Sequence, residues 1–142
     1  LKTSHVLPAL IRKFHHAKLK NHSSVKIWGT GKVLREFLHV DDLATACIYV
    51  IEKVNAKDLA KNNISHINVG YGDEISIINL ANMIKNIIGF DGELDFDTSK
   101  PDGTLKKKLD CSRLQDMGWE PSIILQDGIK STYKHYINSL IQ

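Results

Sequence analysis

One histidine, several cations beside turns, and a tryptophan next to a glycine turn are the side chains of this 142-residue sequence best suited to chemistry on a small anionic ligand. His5 stands just before an apolar helical pattern, with Arg12 and Lys13 two turns further on. Imidazole transfers protons near neutral pH, and a neighbouring cation depresses its pKa. The same spacing also suits a surface or helix-capping histidine. Lys13, Arg35, Lys100 and the run Lys106, Lys107, Lys108 fall in or beside expected turns and helix ends. Phosphates attract such groups through charge-assisted hydrogen bonds, and Arg binds them bidentately. A solvated basic face is the alternative, above all for the lysine run. Trp28 ends an alternating segment and faces Gly29-Thr30-Gly31, where its ring can cover a sugar or base or fill the core.

Other patterns point away from particular chemistries. A dinucleotide turn needs Gly-x-Gly-x-x-Gly between a strand and a helix. Gly29-Thr30-Gly31 has Leu at position 34, and Gly70-Tyr71-Gly72 lacks the third glycine, so both read as ordinary turns. No Gly-Lys-Ser/Thr phosphate loop occurs. Tyr49 and Lys53 have the four-residue spacing of a pair in which Lys lowers a Tyr pKa, but their apolar helix suits a packed Tyr and a solvated Lys. The remaining six histidines show no metal-ligand spacing with Cys or carboxylates, so no metal site is expected. Cys47 and Cys111 match neither a disulfide framework nor a zinc pattern, which points to a reducing, cytoplasmic setting. A net charge of +3 is too small to argue for nucleic acid, and no apolar run approaches the ~20 residues of a membrane span. The first residues carry neither a leader-like apolar segment nor a Met, so the chain is expected to be a piece of something longer.

The elements that must position these groups follow from periodicity. Residues 1–142 are expected to form one domain. Val6, Leu7, Leu10, Ile11, Phe14 and Ala17 recur at helical spacing, with Pro8 near the start and Arg12, Lys13, His16 and Lys20 on the polar face. Residues 25–28 alternate as a strand, and 35–40 read as a second strand ending at Asp41-Asp42, either of which can cap a helix over 43–54. That helix is apolar over most of its surface and is expected to be buried between two layers. Residues 57–63 read as a loop and 64–69 as a strand. Ser76 caps a helix that Gly89 stops, 94–96 form a strand, and 98–104 are turn chemistry. A short helix around 111–117 stops at Gly118, and a last helix spans about 124–140. The mixture gives an α/β class with α+β character.

Three segments in one order carry a resemblance: Ser4-His5-Val6-Leu7-Pro8-Ala9-Leu10-Ile11, Trp28-Gly29-Thr30-Gly31, and Arg35-Glu36-Phe37-Leu38-His39-Val40-Asp41-Asp42. His66-Ile67-Asn68-Val69-Gly70, Ser99-Lys100-Pro101-Asp102-Gly103-Thr104, Lys107, Leu109-Asp110 and Gly118-Trp119 continue it over essentially the whole chain. The sequence resembles the C-terminal half of the GDP-L-fucose synthases, which are extended short-chain dehydrogenases/reductases. The Arg-Glu-Phe segment is shared by many nucleotide-sugar epimerases and dehydratases, whereas the first segment and Ser-Lys-Pro-Asp-Gly-Thr look like the fucose synthase branch. The resemblance implies a substrate-binding portion whose N-terminal Rossmann half is absent. It also implies an NADPH-dependent conversion of GDP-4-keto-6-deoxy-mannose to GDP-L-fucose, by epimerisation at C3 and C5 and reduction at C4. His5 is then the catalytic acid and lies near the nicotinamide of NADP(H), which the missing half mainly holds. Lys13, Trp28, Arg35 and Asp102 match substrate-binding positions, with Lys107 a further candidate; Lys13 stands where relatives often carry Arg. The implied partner is a GDP-sugar, the implied full-length state a homodimer, and the fragment alone is expected to lack turnover. A related epimerase/dehydratase, or a non-catalytic sugar-nucleotide-binding module, is the alternative.

Overall fold

The computed structural model describes residues 4–141, the side chain of Asp58 excepted. Its elements run α1 (Val6–Leu19), β1 (Ser24–Trp28), β2 (Leu34–Arg35), α2 (Val40–Lys53), α3 (Ala56–Lys61), β3 (Ile75–Ser76), α4 (Ile77–Ile88), β4 (Glu93–Asp97), β5 (Lys106–Lys107), α5 (Ser112–Asp116) and α6 (Leu125–Ser139). The class is α/β. Residues divide into two compact units: one comprises the chain up to Arg35, Ile75–Lys106 and everything from Gln126, and the other Glu36–Glu74 with Lys107–Leu125.

In the first unit, β1 and β4 pair in parallel, with Trp28 opposite Asp97 at the end of the ladder. Strand alternation puts Val25 and Ile27 inside and Lys26 and Trp28 outside. α1 packs on α4 and β1 through Leu10, Ile11, Phe14 and Ala17, and α4 answers with Ile77, Leu80, Ala81, Ile84 and Ile88. Pro8 sits in the first turn of α1, where its missing N–H costs nothing. Ser76 caps α4 by accepting from the Asn79 N–H at 3.2 Å, and Gly89 ends it at φ 69°. His15 is buried, although the helical pattern offers no apolar reason for it. Its Nδ1 lies 3.1 Å from the Tyr133 hydroxyl of α6, and burial first, then His16 and Lys18, lowers its pKa. β2 pairs antiparallel with β3, and β5 adds a third strand that the lysine run does not announce.

The second unit corrects several expectations. The strand expected over 35–40 stops at Arg35, because helix α2 begins at Val40. His39, rather than either Asp, is the N-cap: its Nδ1 accepts from the Asp41 N–H at 3.2 Å. Asp42 instead turns inward, 2% exposed, and accepts from Ser122 N at 3.1 Å, Ser122 Oγ at 2.9 Å and Ile123 N at 3.0 Å. Residues 56–61 form α3 in place of a loop. Residues 64–69 form no strand, since among the described residues none runs beside them. α2 is not sandwiched: Ala46 packs with Leu114 and Trp119, while Val40, Leu43, Ile48 and Ile51 on its other side are exposed.

The Asp42 arrangement gives a stability test. Burial alone would raise this carboxyl's pKa, but the hydrogen bonds from Ser122 and Ile123 outweigh it and hold the group below its ordinary value. Asp42→Asn should therefore cost about 1–3 kcal/mol in urea unfolding at pH 7. A depressed folded-state pKa contributes stability above the unfolded value of about 4 and loses it as pH falls further. The gap between wild type and variant should accordingly narrow below about pH 4, and a gap that is constant with pH would refute the assignment.

Candidate functional site

Phe14 is fully buried and packs its ring on Phe90, with centroids 5.7 Å apart, which sets the rotation of α1 about its axis. The adjacent Lys13 is thereby carried to the end of β1. Its Nζ donates to the Lys26 carbonyl at 2.8 Å and lies 5.6 Å from the centroid of the Trp28 ring. That is cation–π range, and burial pulls the Lys13 pKa down. Trp28 is 64% exposed, so its ring is a surface platform and not core.

Beyond Trp28 the chain turns through Gly29 and Gly31, at φ 77° and 74°. Gly29 N–H donates to Asp97 O at 2.9 Å. Thr30 donates twice to one carboxylate, from its N–H to Asp102 Oδ1 at 2.7 Å and from Oγ1 to Oδ2 at 2.8 Å. Arg35, half-buried on β2, donates from Nη1 to Leu34 O at 2.6 Å and to Thr104 O at 2.8 Å. Asp97, at the start of the same loop, accepts from Ser99 Oγ and N; the side-chain bond is the larger influence holding its carboxyl below the usual range. The fold thus brings Lys13 and Trp28 into contact and ties the turn after Trp28 to the loop that also receives Arg35.

The other expected residues stand apart. His5 is the exposed N-cap of α1, its ring making no capping hydrogen bond, roughly 12 Å along the helix axis from Lys13 at 1.5 Å per residue. Lys107 is exposed on β5 and belongs to the second unit. Sequence reasoning missed Thr30, which reads as turn filler between two glycines. It also missed Glu36, whose carboxylate accepts from Tyr71 N at 2.8 Å and Leu109 N at 3.1 Å. Tyr49 donates its hydroxyl to the Met117 carbonyl, in keeping with a packed tyrosine. Burial first, then Glu36, raises the Cys111 thiol's pKa, which disfavours a nucleophilic thiolate. Among the described residues, no three His, Cys, Asp or Glu gather as a metal site, and no helix is long and apolar enough to cross a membrane.

A nicotinamide dinucleotide needs backbone that its pyrophosphate can approach. Here the glycine turns are filled from within. A Cβ on Gly29 would lie 2.2 Å from Asp102 Oδ1, one on Gly31 2.6 Å from Phe96, and one on Gly70 1.8 Å from Glu36 Oε1. These glycines make room for the protein's own side chains, and neither turn fits a pyrophosphate.

Residues 1–70 match the NAD dependent epimerase/dehydratase family. GDP-L-fucose synthase 1 of Arabidopsis thaliana is 45% identical over 98% of this chain, and GDP-L-fucose synthase of Escherichia coli K12 is 46% identical over 96%. The chain is a homologue of the GDP-L-fucose synthases. It spans 41% and 43% of the length of these two relatives. Among solved structures, a GDP-mannoheptose C4 reductase from Campylobacter jejuni with NADP bound superposes with a TM-score of 0.84 at 47% identity, covering 96% of this chain and 46% of that one.

For this synthase homologue, Gly29 is the most constrained position of the site. Gly29→Ala meets both a positive φ and the Asp102 carboxylate. It should destabilise the chain by about 1–3 kcal/mol in urea unfolding and raise the mobility of Trp28 in fluorescence anisotropy. Unchanged stability and anisotropy would contradict the close packing of this turn.

Proposed function

We propose that this chain is the substrate-binding portion of an NADPH-dependent nucleotide-sugar epimerase and reductase that converts GDP-4-keto-6-deoxy-D-mannose to GDP-L-fucose. The observation that carries the reading is the exposed Trp28 platform, with the Lys13 ammonium against it and the Arg35 guanidinium of β2 bonded to the Thr104 carbonyl of the neighbouring loop. An aromatic face with cations beside it suits a nucleoside diphosphate: the ring covers a base or sugar, and Lys and Arg meet the phosphates. The names of the homologues support the choice of GDP-sugar. Asp102 and Lys107 complete the proposed substrate-binding set.

Epimerisation next to a ketone removes a proton on one face and returns one on the other, so it requires an acid opposite a base. His5 is proposed as that acid. Its ring is exposed at the N-terminus of α1 and unspent on capping, so it is open to a substrate proton. The ketone reduction draws its hydride from NADPH, which residues outside this chain mainly hold, with His5 the residue of this chain nearest the nicotinamide. The proposed setting is cytoplasmic, consistent with two free cysteines, and the full-length protein is proposed to act as a homodimer.

A second reading, a different GDP-hexose or GDP-heptose as substrate, is favoured by the similarity to the GDP-mannoheptose reductase. Titration calorimetry of the chain with GDP, UDP and dTDP should show binding of GDP alone; preference for UDP or dTDP would remove both readings. Supplying the remaining portion of the Escherichia coli relative should restore NADPH oxidation on the 4-keto sugar, whereas the chain alone should give none. In that reconstituted protein, His5→Gln should lower turnover about 10²–10⁴-fold with GDP affinity retained. Arg35→Ala should weaken GDP binding by about tenfold, and equal activity of the His5 variant would remove it from the mechanism.

A further inference from the structure

His15 is a buried titratable group for which the candidate site has no use: its ring is 8% exposed, on the face of α1 turned toward α6. Its Nδ1 lies 3.1 Å from the Tyr133 hydroxyl, and the rings of Tyr133 and Tyr136 stand edge-on to it at 5.8 and 5.3 Å between centroids. Burial first, then Tyr136, raises the Tyr133 pKa, so the hydroxyl keeps its proton through the neutral range. It can therefore donate to Nδ1 of an uncharged imidazole whose proton sits on Nε2. Protonation of Nδ1 sets two donors against one another, and the tyrosine must turn its hydrogen away from the ring.

The surroundings favour the uncharged ring. On α1, the His16 ring stands 5.8 Å away, Arg12 and Lys18 lie one turn to either side, and the helix contains no acidic residue. α4 and β1, which pack on α1, bring Lys85 and Lys26 and again no acid. α6 has a single carboxylate, Asp127, bonded to Lys130 at 2.9 Å, and its remaining charged or titratable side chains besides the two tyrosines are Lys134 and His135. An imidazolium at position 15 would lose its water and meet cations on its own helix. Burial first, then His16 and Lys18, accordingly lowers the His15 pKa.

We propose that the contact between His15 and Tyr133 is a pH-sensitive latch between α1 and α6, closed while the imidazole is uncharged and opened by its protonation. None of its groups belongs to the proposed substrate-binding set, so the latch stands independently of the sugar-nucleotide reading. The docked helix binds fewer protons than the released one, so docking is strongest above the ordinary histidine value of about 6.5 and weakens as pH falls below it. Opening bares Ile129, which is 1% exposed in the docked helix.

The experiment follows α6 in the full chain by hydrogen exchange with mass spectrometry at pH 7.5 and 5.0, with rates corrected for the intrinsic effect of pH. In wild type, protection of α6 relative to α4 should fall about three- to tenfold at the lower pH. His15→Phe keeps a ring but takes no proton, and its α6 protection relative to α4 should be the same at both. Tyr133→Phe removes only the hydroxyl and should lower protection about threefold at pH 7.5 and less at pH 5.0. In an NMR titration of the labelled chain, the assigned His15 ring should titrate below that of exposed His22. An equal fall in α6 protection in wild type and His15→Phe would overturn the latch, as would a His15 ring that titrates with or above His22. Should His15→Phe fail to fold, the wild-type titration and Tyr133→Phe decide, and a Tyr133→Phe loss that is the same at both pH values overturns the proposal.

Discussion

Burial of Phe14 is the constraint on which the first unit turns. One aromatic side chain removed from water contributes about 1.5–3 kcal/mol and, packed on Phe90 beneath α1, leaves the helix a single rotational setting. Lys13 and His15 flank it in sequence, so both are directed by a neighbour that has no chemistry of its own. One goes to the rim beside Trp28. The other is pressed against Tyr133 and the ring of Tyr136, with centroids 5.3 Å apart, where an uncharged imidazole is favoured.

The second unit relies on a polar anchor. Asp42 lies in the first turn of α2, where exposed backbone N–H groups and the helix dipole already favour a negative charge. By also accepting from Ser122 and Ile123, it fixes the chain that follows Trp119. Ala46, one turn along the same helix, packs with Leu114 and Trp119, so a polar tie and an apolar contact hold one face in register. Glu36 does comparable work on backbone N–H groups at Tyr71 and Leu109, which are far apart in sequence.

What the sequence made legible was local. The periodicity of α1, α4 and α6, the Ser76 cap, the Gly89 stop and the alternation of β1 all depend on residues within a few positions of one another. What stayed hidden was decided by distant partners. β5 exists because β2 is there to receive it, and 64–69 fail as a strand for want of a neighbour. His39 displaced the two Asp residues as N-cap because Asp42 had a better use for its oxygens in residues 122–123. Within the candidate site, the sequence offers Lys13, Trp28 and Arg35 by type alone, and the structure sets Lys13 over the Trp28 ring. The bond between Thr30 and Asp102 could not be read in advance, since no spacing rule joins residues 72 apart.

The two units are interleaved along the chain: the polypeptide passes from one to the other four times before it ends. During synthesis, therefore, neither unit can be completed while the other waits untouched. α1 leaves the ribosome long before α6 brings Tyr133 to His15, and the Trp28 turn must stay without its carboxylate partner until residue 102 has been made. A nascent chain halted midway would expose half-built apolar faces from both units at once. Folding of these two units should thus depend on chaperone holding until α6 emerges.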